Sequence, residues 1–466
     1  MMQSFSYQGF WWLPSQPENR IYGTVSFNLL DGVRLQTLGN EWLPIATDRR
    51  ILNDDNTKTV IIHGECLVGK HRRAVTLYQC FVPSFPGHDK TITANFAFVG
   101  AYFASEAELQ FSSLAFSYSH LMDWYFKTGV NSHSETDDTG KLRHHAIYDP
   151  VDELIVNCAG VSMTFRTAFE QEGTIGRVEM MDTPVVDIEF ETSRSFEDFI
   201  HESRKLRFFL TLCTDISTTT TRVFGKLDRV PEQLEWPIFD VYFVESFAKV
   251  VERKNYRPLL KLVDTPSIQQ HLSLWMERFD ELLPVILGYG SYMFAERVPA
   301  EDRFFRLAQA TEILCRILDS DSTYIDADSY GNVRESLVAA IPANTPSDLR
   351  SRLTSTLEYG NEFSFRTRLK RLLKTAFASY DLELQKVLGD TGKFVAQVVE
   401  TRNYLAHGGR APSNMPHSSR DWLLLIMRLR VLICVGLLQT IEIPEGKIQQ
   451  VIQRFMGLYD QVFLTR

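Results

Sequence analysis

Ile21-Tyr22-Gly23-Thr24-Val25-Ser26-Phe27, then Asp31-Gly32, then Val33-Arg34-Leu35, is the stretch that decides the fold class of the N-terminal half. Its side chains alternate in polarity with a period of two, the mark of a strand with one face against a core. Asp-Gly between two such runs is a hairpin turn signal, because the glycine accepts the positive φ that a tight turn imposes. Stretches of the same kind recur at 59–68, 74–82, 92–103, 109–118, 153–169 and 185–190, separated by turn residues. From 21 to about 191 no helical period of useful length intervenes. Many short strands at this spacing predict an antiparallel sandwich or barrel. The segment 127–145, rich in Ser, Asp, Gly and His, reads as an exposed loop.

After Ser195 the period changes. Residues 196–212 read as a helix with Glu197 and Asp198 in its early turns, and 237–244 resembles one more strand. From about Ser267 onward apolar residues recur at three- and four-residue spacing. Leu272, Trp275, Met276 and Phe279 form one stripe; Phe304, Leu307, Ala308, Cys315 and Leu318 form another. The trend continues through 363–388 and 391–407. The reading is an α+β chain: a β-rich sandwich- or barrel-like domain over 1–195, a mixed connection over 196–266, and an α-helical bundle over 267–466.

At 466 residues the chain is too long for one ordinary core. Hydrophobic residues at 44% and charged residues at 23% describe a folded protein. The formal net charge of −9 excludes a global basic field for nucleic acid. The charge is unevenly spread: residues 301–466 hold 21 Lys+Arg against 19 Asp+Glu, whereas the remainder holds 28 against 39. A polyanion site must therefore be local, and the C-terminal third is the place for it. Six cysteines without a CxxC pair read as buried small hydrophobes in a reducing compartment. The opening MMQSFSYQGFWWLP lacks the basic and apolar regions of a signal peptide. The most apolar segment, Trp422 to Ile443, is interrupted by Arg428 and Arg430 and reads as a buried helix rather than a membrane span. A cytoplasmic protein without a membrane partner is the expectation.

Several motifs carry chemistry on paper. Gly64-Glu65-Cys66-Leu67-Val68-Gly69-Lys70 has phosphate-loop spacing, but His71 stands where a magnesium-binding hydroxyl belongs and no helix follows to receive a phosphate. His144-His145 and the acids nearby lack helical HxxxH spacing and read as solvated surface. Trp11, Trp12 and Trp124 are read as sheet packing rather than a ligand groove. No metal and no cofactor is expected.

An Arg followed by a His after a short gap is a further pattern, and in a chain with eleven histidines it arises by chance. Three pairs occur: Arg194 with His201, Arg402 with His407, and Arg410 with His417. Pro412 and Pro416 break any helix through the last pair, and the first begins where a strand ends. Only Arg402 and His407 lie along a predicted helix, just before the Gly408-Gly409 stop. On a helical wheel Phe394, Val395, Val398, Val399, Leu405 and Ala406 span about 140°, and Arg402 at about 80° falls among them. A guanidinium turned toward a core requires a carboxylate, carbonyls or a bound phosphate to meet it. His407 stands at the helix end, where unpaired carbonyls favour a protonated imidazole. Both residues can equally be structural, His407 as a cap and Arg402 as half of an ion pair.

The opening Gly9-Phe10-Trp11-Trp12-Leu13-Pro14 with Ile21-Tyr22-Gly23-Thr24-Val25-Ser26-Phe27 resembles the N-terminal domain of ApeA-type anti-phage proteins. Phe304-Phe305-Arg306-Leu307-Ala308-Gln309-Ala310-Thr311-Glu312 and Arg402-Asn403-Tyr404-Leu405-Ala406-His407 resemble the ApeA-like HEPN domain. The resemblance implies a metal-independent endoribonuclease of bacterial defence, built as a homodimer or larger, that cleaves RNA, with transfer RNA the family-flavoured substrate, in answer to a phage-derived trigger. It assigns His407 as general acid or base and Arg402 as the phosphate holder. Asn403 would position backbone or substrate, and Glu312 would orient Arg402. An i,i+4 pair of Glu312 with Arg316 is the plain alternative. The rival class is a non-catalytic HEPN bundle used for dimerisation or partner binding, with the β domain as a ligand sensor.

Overall fold

The computed structural model describes residues 2–37, 60–81, 91–158, 160–227, 238–245, 257–265, 267–294 and 298–464. The chain divides into two compact units, Met1–Glu277 and Arg278–Arg466.

Among the described residues, the first unit is built on a 12-stranded antiparallel sheet that closes on itself at one end. The strands of this unit, of which β8 and β9 stand outside that sheet, begin with β1 (Phe5–Trp12), β2 (Ile21–Asn28), β3 (Gly32–Thr37), β4 (Ile61–Val68), β5 (His71–Phe81) and β6 (Thr91–Val99). They continue as β7 (Gln110–Tyr118), β8 (Val130–Thr136), β9 (Leu142–Tyr148), β10 (Leu154–Cys158), β11 (Val161–Thr174), β12 (Arg177–Ser195), β13 (Thr220–Lys226) and β14 (Ile238–Phe243). The circuit β1-β2-β3-β6-β5-β4 returns to β1 and forms a barrel. Strand β6 belongs to two structures at once. Its first half pairs with β3, its second half with β14, and its other edge with β5. From β14 the sheet runs on through β13, β7, β12, β11 and β10. The barrel or sandwich expectation thus resolves into a barrel with a sheet extension.

The β2–β3 hairpin forms as expected. The Asn28 side chain accepts from the Leu30 and Asp31 amides at 2.9 and 2.8 Å, and Gly32 takes φ +72. Alternation places Val25, Phe27, Val33 and Leu35 in the barrel core. The expected helix after Ser195 is α2 (Phe196–Thr214), started by a reciprocal cap between Ser195 and Asp198. Its Phe196 lies edge-on to Phe96 and Phe98, each at 5.1 Å.

The phosphate-loop pattern has a packing explanation. Gly64 lies opposite Trp11, and a Cβ there would stand 2.3 Å from the indole ring. Gly69 and Lys70 form the two-residue turn between β4 and β5, with Gly69 at φ +62. The first glycine admits a tryptophan; the second turns a hairpin. Trp11, Trp12 and Trp124 are all buried.

The loop reading of 127–145 is corrected, and the structure adds detail to two other expectations. The segment 127–145 is largely a separate two-stranded sheet, β8 paired with β9, and is exposed on both faces. With no buried face, no hydrophobic alternation announces it. The five-residue helix α1 (Leu121–Tyr125) is too short to show a period. The connection 196–266 supplies α2 and two central strands, β13 and β14, so it is part of the sheet unit. The starts or ends of the expected strands at Thr59, Val82 and Pro237 lie outside the described residues.

The helical region comprises α3 (Ile268–Phe294), α4 (Ala300–Leu318), α5 (Ala327–Ala339), α6 (Ser347–Glu358), α7 (Phe365–Lys374), α8 (Asp381–Leu388), α9 (Thr391–His407), α10 (Ser419–Thr440) and α11 (Glu445–Leu464). At its centre is α10, whose most apolar stretch is 78% buried. Both of its arginines are accommodated: Arg428 donates to the Val387 carbonyl at 3.1 Å, and Arg430 lies against the Tyr292 and Phe455 rings. Gly436 lets α4 approach α10 closely, since a Cβ there would meet Leu314 at 2.5 Å. Phe304, Leu307, Ala308 and Cys315 are buried as their spacing predicts. All six cysteines are buried free thiols.

Candidate active site

Helix α9 starts at Asp390, whose side chain accepts from the Lys393 amide at 2.8 Å. Phe394, Val395, Val398 and Val399 bury its first half. The helix then leaves the core: Leu405 is half-buried, while Ala406 and His407 are exposed. The apolar stripe therefore continues past the point where burial stops, and Arg402 sits at that edge with its side chain 25% exposed. Gly408 ends the helix at φ +71, its amide donating to the Tyr404 carbonyl at 2.8 Å, and Gly409 follows at φ +100. The other two Arg–His pairs are not on one element. Arg194 closes β12 while His201 is in α2, and the segment holding Arg410 and His417 is not helical.

A carboxylate meets Arg402, as an inward guanidinium demands. Arg402 Nη2 donates to Glu312 Oε2 at 2.8 Å, from α9 to α4, and Nη1 donates to Asn403 Oδ1 at 3.1 Å. Its Nε is shielded from water and has no hydrogen-bond partner. Glu312 also lies 3.6 Å from Arg316, so the cross-helix pair and the i,i+4 pair coexist on one carboxylate. Arg316 is shared in turn with Glu362 at 3.9 Å.

These groups line a cleft of about 480 Å³, with Arg306, Gln309, Glu312, Arg316 and Arg402 around a floor that includes Leu287 and Ile313. The floor exists because α3 and α4 nearly touch: a Cβ on Gly288 would lie 2.5 Å from that of Ala310. Three guanidiniums and one carboxylate line the cleft, an excess of positive lining charge inside a chain of net charge −9. Such a cleft suits a phosphate. Cys315, on the inner face of α4, offers no nucleophile, because burial, helped by the Glu312 charge, pushes its thiol up to about 12.

Of the residues singled out in sequence, Arg402, Asn403 and Glu312 are brought together. His407 is not among the cleft's lining residues. Five residues on, it lies about 7.5 Å farther along the helix and about 140° around it from Arg402. Arg306 and Gln309 were missed as site residues, although their spacing with Glu312 and Arg316 puts all four on one side of α4.

The family described as ApeA N-terminal domain 1 matches residues 6–278, and the family described as Apea-like HEPN matches residues 305–447. No curated protein and no solved structure matches the chain. The pairing of these two domains points to anti-phage defence with a nuclease-type activity. The N-terminal match alone spans more than half of the sequence, and with the helical match behind it the chain belongs to the ApeA-like family of defence proteins.

Proposed function

We propose that the protein is a HEPN-type endoribonuclease of bacterial anti-phage defence, acting on RNA in the cytoplasm as a homodimer or larger assembly. The observation that carries this reading is one cleft lined by Arg306, Arg316 and Arg402, the last two paired with Glu312, beside the open end of α9. A phosphodiester is the ligand that three guanidiniums in a shallow cleft favour. Arg402 grips the scissile phosphate and stabilises the charge that accumulates on its pentavalent transition state. Glu312 holds Arg402 in the required orientation, and Asn403 fixes its other amino group or a substrate group.

His407 supplies the proton chemistry. In one subunit the imidazole lies on another side of α9 from Arg402, so a second copy of α9 is what completes a site with both groups. Two imidazoles then face one ribose–phosphate unit. One takes the proton of the 2′-hydroxyl as it attacks the adjacent phosphorus, and the other protonates the departing 5′-oxygen. The products are a 2′,3′-cyclic phosphate and a 5′-hydroxyl. No oxidant, reductant or water is consumed in that step. Transfer RNA is the substrate class, because its single-stranded loops expose backbone to such a cleft. The β-rich unit, acidic where the helical third is not, restrains the nuclease until it meets a phage component.

The test is expression of wild type and His407→Ala in cells under phage challenge, with total RNA sequenced for new 5′ and 3′ ends. New ends in wild type that vanish in the variant, at equal protein level, uphold the proposal. If both strains give the same ends and the same protection, the HEPN bundle is an interaction module.

A further inference from the structure

We propose that the exposed β8–β9 hairpin is a binding site for a divalent transition-metal ion of the zinc type, held by His133, Glu135 and His145. Residues two apart on a strand share a face, and residues in register lie opposite each other across the pair. His133 is in register with His145, and Glu135 lies two residues along on the same face. Their ligand atoms all lie within 4.8 Å of one another. The two imidazole rings stack with centroids 5.0 Å apart and planes within 7°. Tetrahedral coordination at about 2.1 Å draws three donors to about 3.4 Å from one another, a small side-chain adjustment on an exposed hairpin.

Two features favour a cation there over a simple ion pair. His145 Nε2 lies 3.0 Å from Glu135 Oε1 yet forms no directed hydrogen bond and is shielded from water. A nitrogen in that state is an unsatisfied lone pair or N–H, and a metal bond satisfies it. The residue opposite Glu135 is Arg143, which would otherwise neutralise it. Arg143 is instead drawn 3.0 Å from Asp137, whose carboxylate accepts from the Thr139 and Lys141 amides of the turn. Glu135 is thereby left to the histidines. Two imidazoles and one carboxylate suit zinc and its first-row neighbours rather than calcium or magnesium, and leave one coordination position open.

The ion would act as a clip. A two-stranded sheet is marginal by itself. Among the described residues, the base of this one is tied down by the Gly129 amide on Asp182 at 2.6 Å and by Tyr148 stacked on Phe169 at 3.9 Å. A metal midway along the strands orders the outer half.

The full chain, freed of metal by chelation, is titrated with zinc chloride against a zinc-responsive dye. His133→Ala and His145→Ala should each weaken binding about tenfold or more, and Glu135→Gln should weaken it by less. His144→Ala is the control, because its ring bonds Ser134 on the opposite face, and it should bind as wild type. Circular dichroism confirms that each variant is folded. In a second arm, zinc should slow proteolysis within 137–142 in wild type and not in His145→Ala. Wild-type affinity in His145→Ala, or an equal loss in His144→Ala, overturns the assignment.

Discussion

Arg402 Nη2 donates to Glu312 Oε2 at 2.8 Å across ninety positions of sequence, and the same carboxylate stands 3.6 Å from Arg316. One acid thus serves two guanidiniums, and Arg316 is shared further with Glu362 at 3.9 Å. A phosphate entering the cleft can take over a share of both without breaking the pair that orients Arg402.

Arg402→Lys separates charge from geometry. Lysine keeps the positive charge but cannot bond Glu312 and a phosphate through one planar fork. RNA cleavage should fall by about 100-fold, while the melting temperature changes little. Glu312→Ala should behave differently. It leaves Arg402 partly buried without its acid, which costs about 1–3 kcal/mol of stability. Cleavage assays paired with thermal melts on the two variants check both outcomes.

Arg306 tests whether the cleft is the path of the RNA. It is exposed on α4 and lines the cleft beside Gln309 and Arg402. Each phosphate contact to a single strand contributes about 0.7 to the slope of log affinity against log salt. In a His407→Ala background, adding Arg306→Ala should lower that slope by about 0.7 and weaken binding to all RNA sequences alike. An unchanged slope places the RNA elsewhere.

Much of this was legible in the sequence where a face is half-buried. The alternation at 21–27 and the Asp31-Gly32 turn announce a hairpin, and the helix 391–407 is found at its full extent. What escaped were elements whose side chains lack an inside and an outside. The β8–β9 hairpin has solvent on both faces, so its histidines read as loop. On α9 the hydrophobic pattern outlasts the burial, and Leu405 and Ala406 emerge from the core that their type suggests. The Glu312–Arg402 pair follows from the packing of α4 on α9, which no local period encodes; the inward arginine called for an acid, and the family resemblance named Glu312 as that acid.

Asp319 and Arg371 tie the end of α4 to the last turn of α7, with contacts at 2.6 and 3.1 Å. The Arg371 hydrogen bonds hold the Asp319 carboxyl below its ordinary value of 3.8, against the opposing effect of burial. A depressed carboxyl stabilises the fold above the unfolded value and loses that contribution as pH falls through the folded one. Asp319→Asn should therefore melt lower than wild type by a constant margin from about pH 5 to 8. The margin should close below about pH 4. Thermal melts across that range read it directly.

Gly64 and Lys70 give opposite answers to the phosphate-loop reading and the packing reading. A phosphate loop requires Lys70 for its ligand, whereas the packing reading makes no use of Lys70. Here Lys70 is exposed in a turn, whereas Gly64 is buried beneath Trp11, where a Cβ would stand 2.3 Å from the ring. Gly64→Ala must displace Trp11, a fully buried side chain of the barrel, or spread β1 from β4. Overpacking of that kind costs about 1–3 kcal/mol, which lowers the melting temperature of a unit this size by roughly 2–12 °C. Lys70→Ala removes a solvated charge and should leave both melting and anti-phage protection unchanged. If Lys70→Ala abolishes protection while Gly64→Ala melts as wild type, the β4–β5 turn binds a phosphate and the packing account of its glycines is wrong.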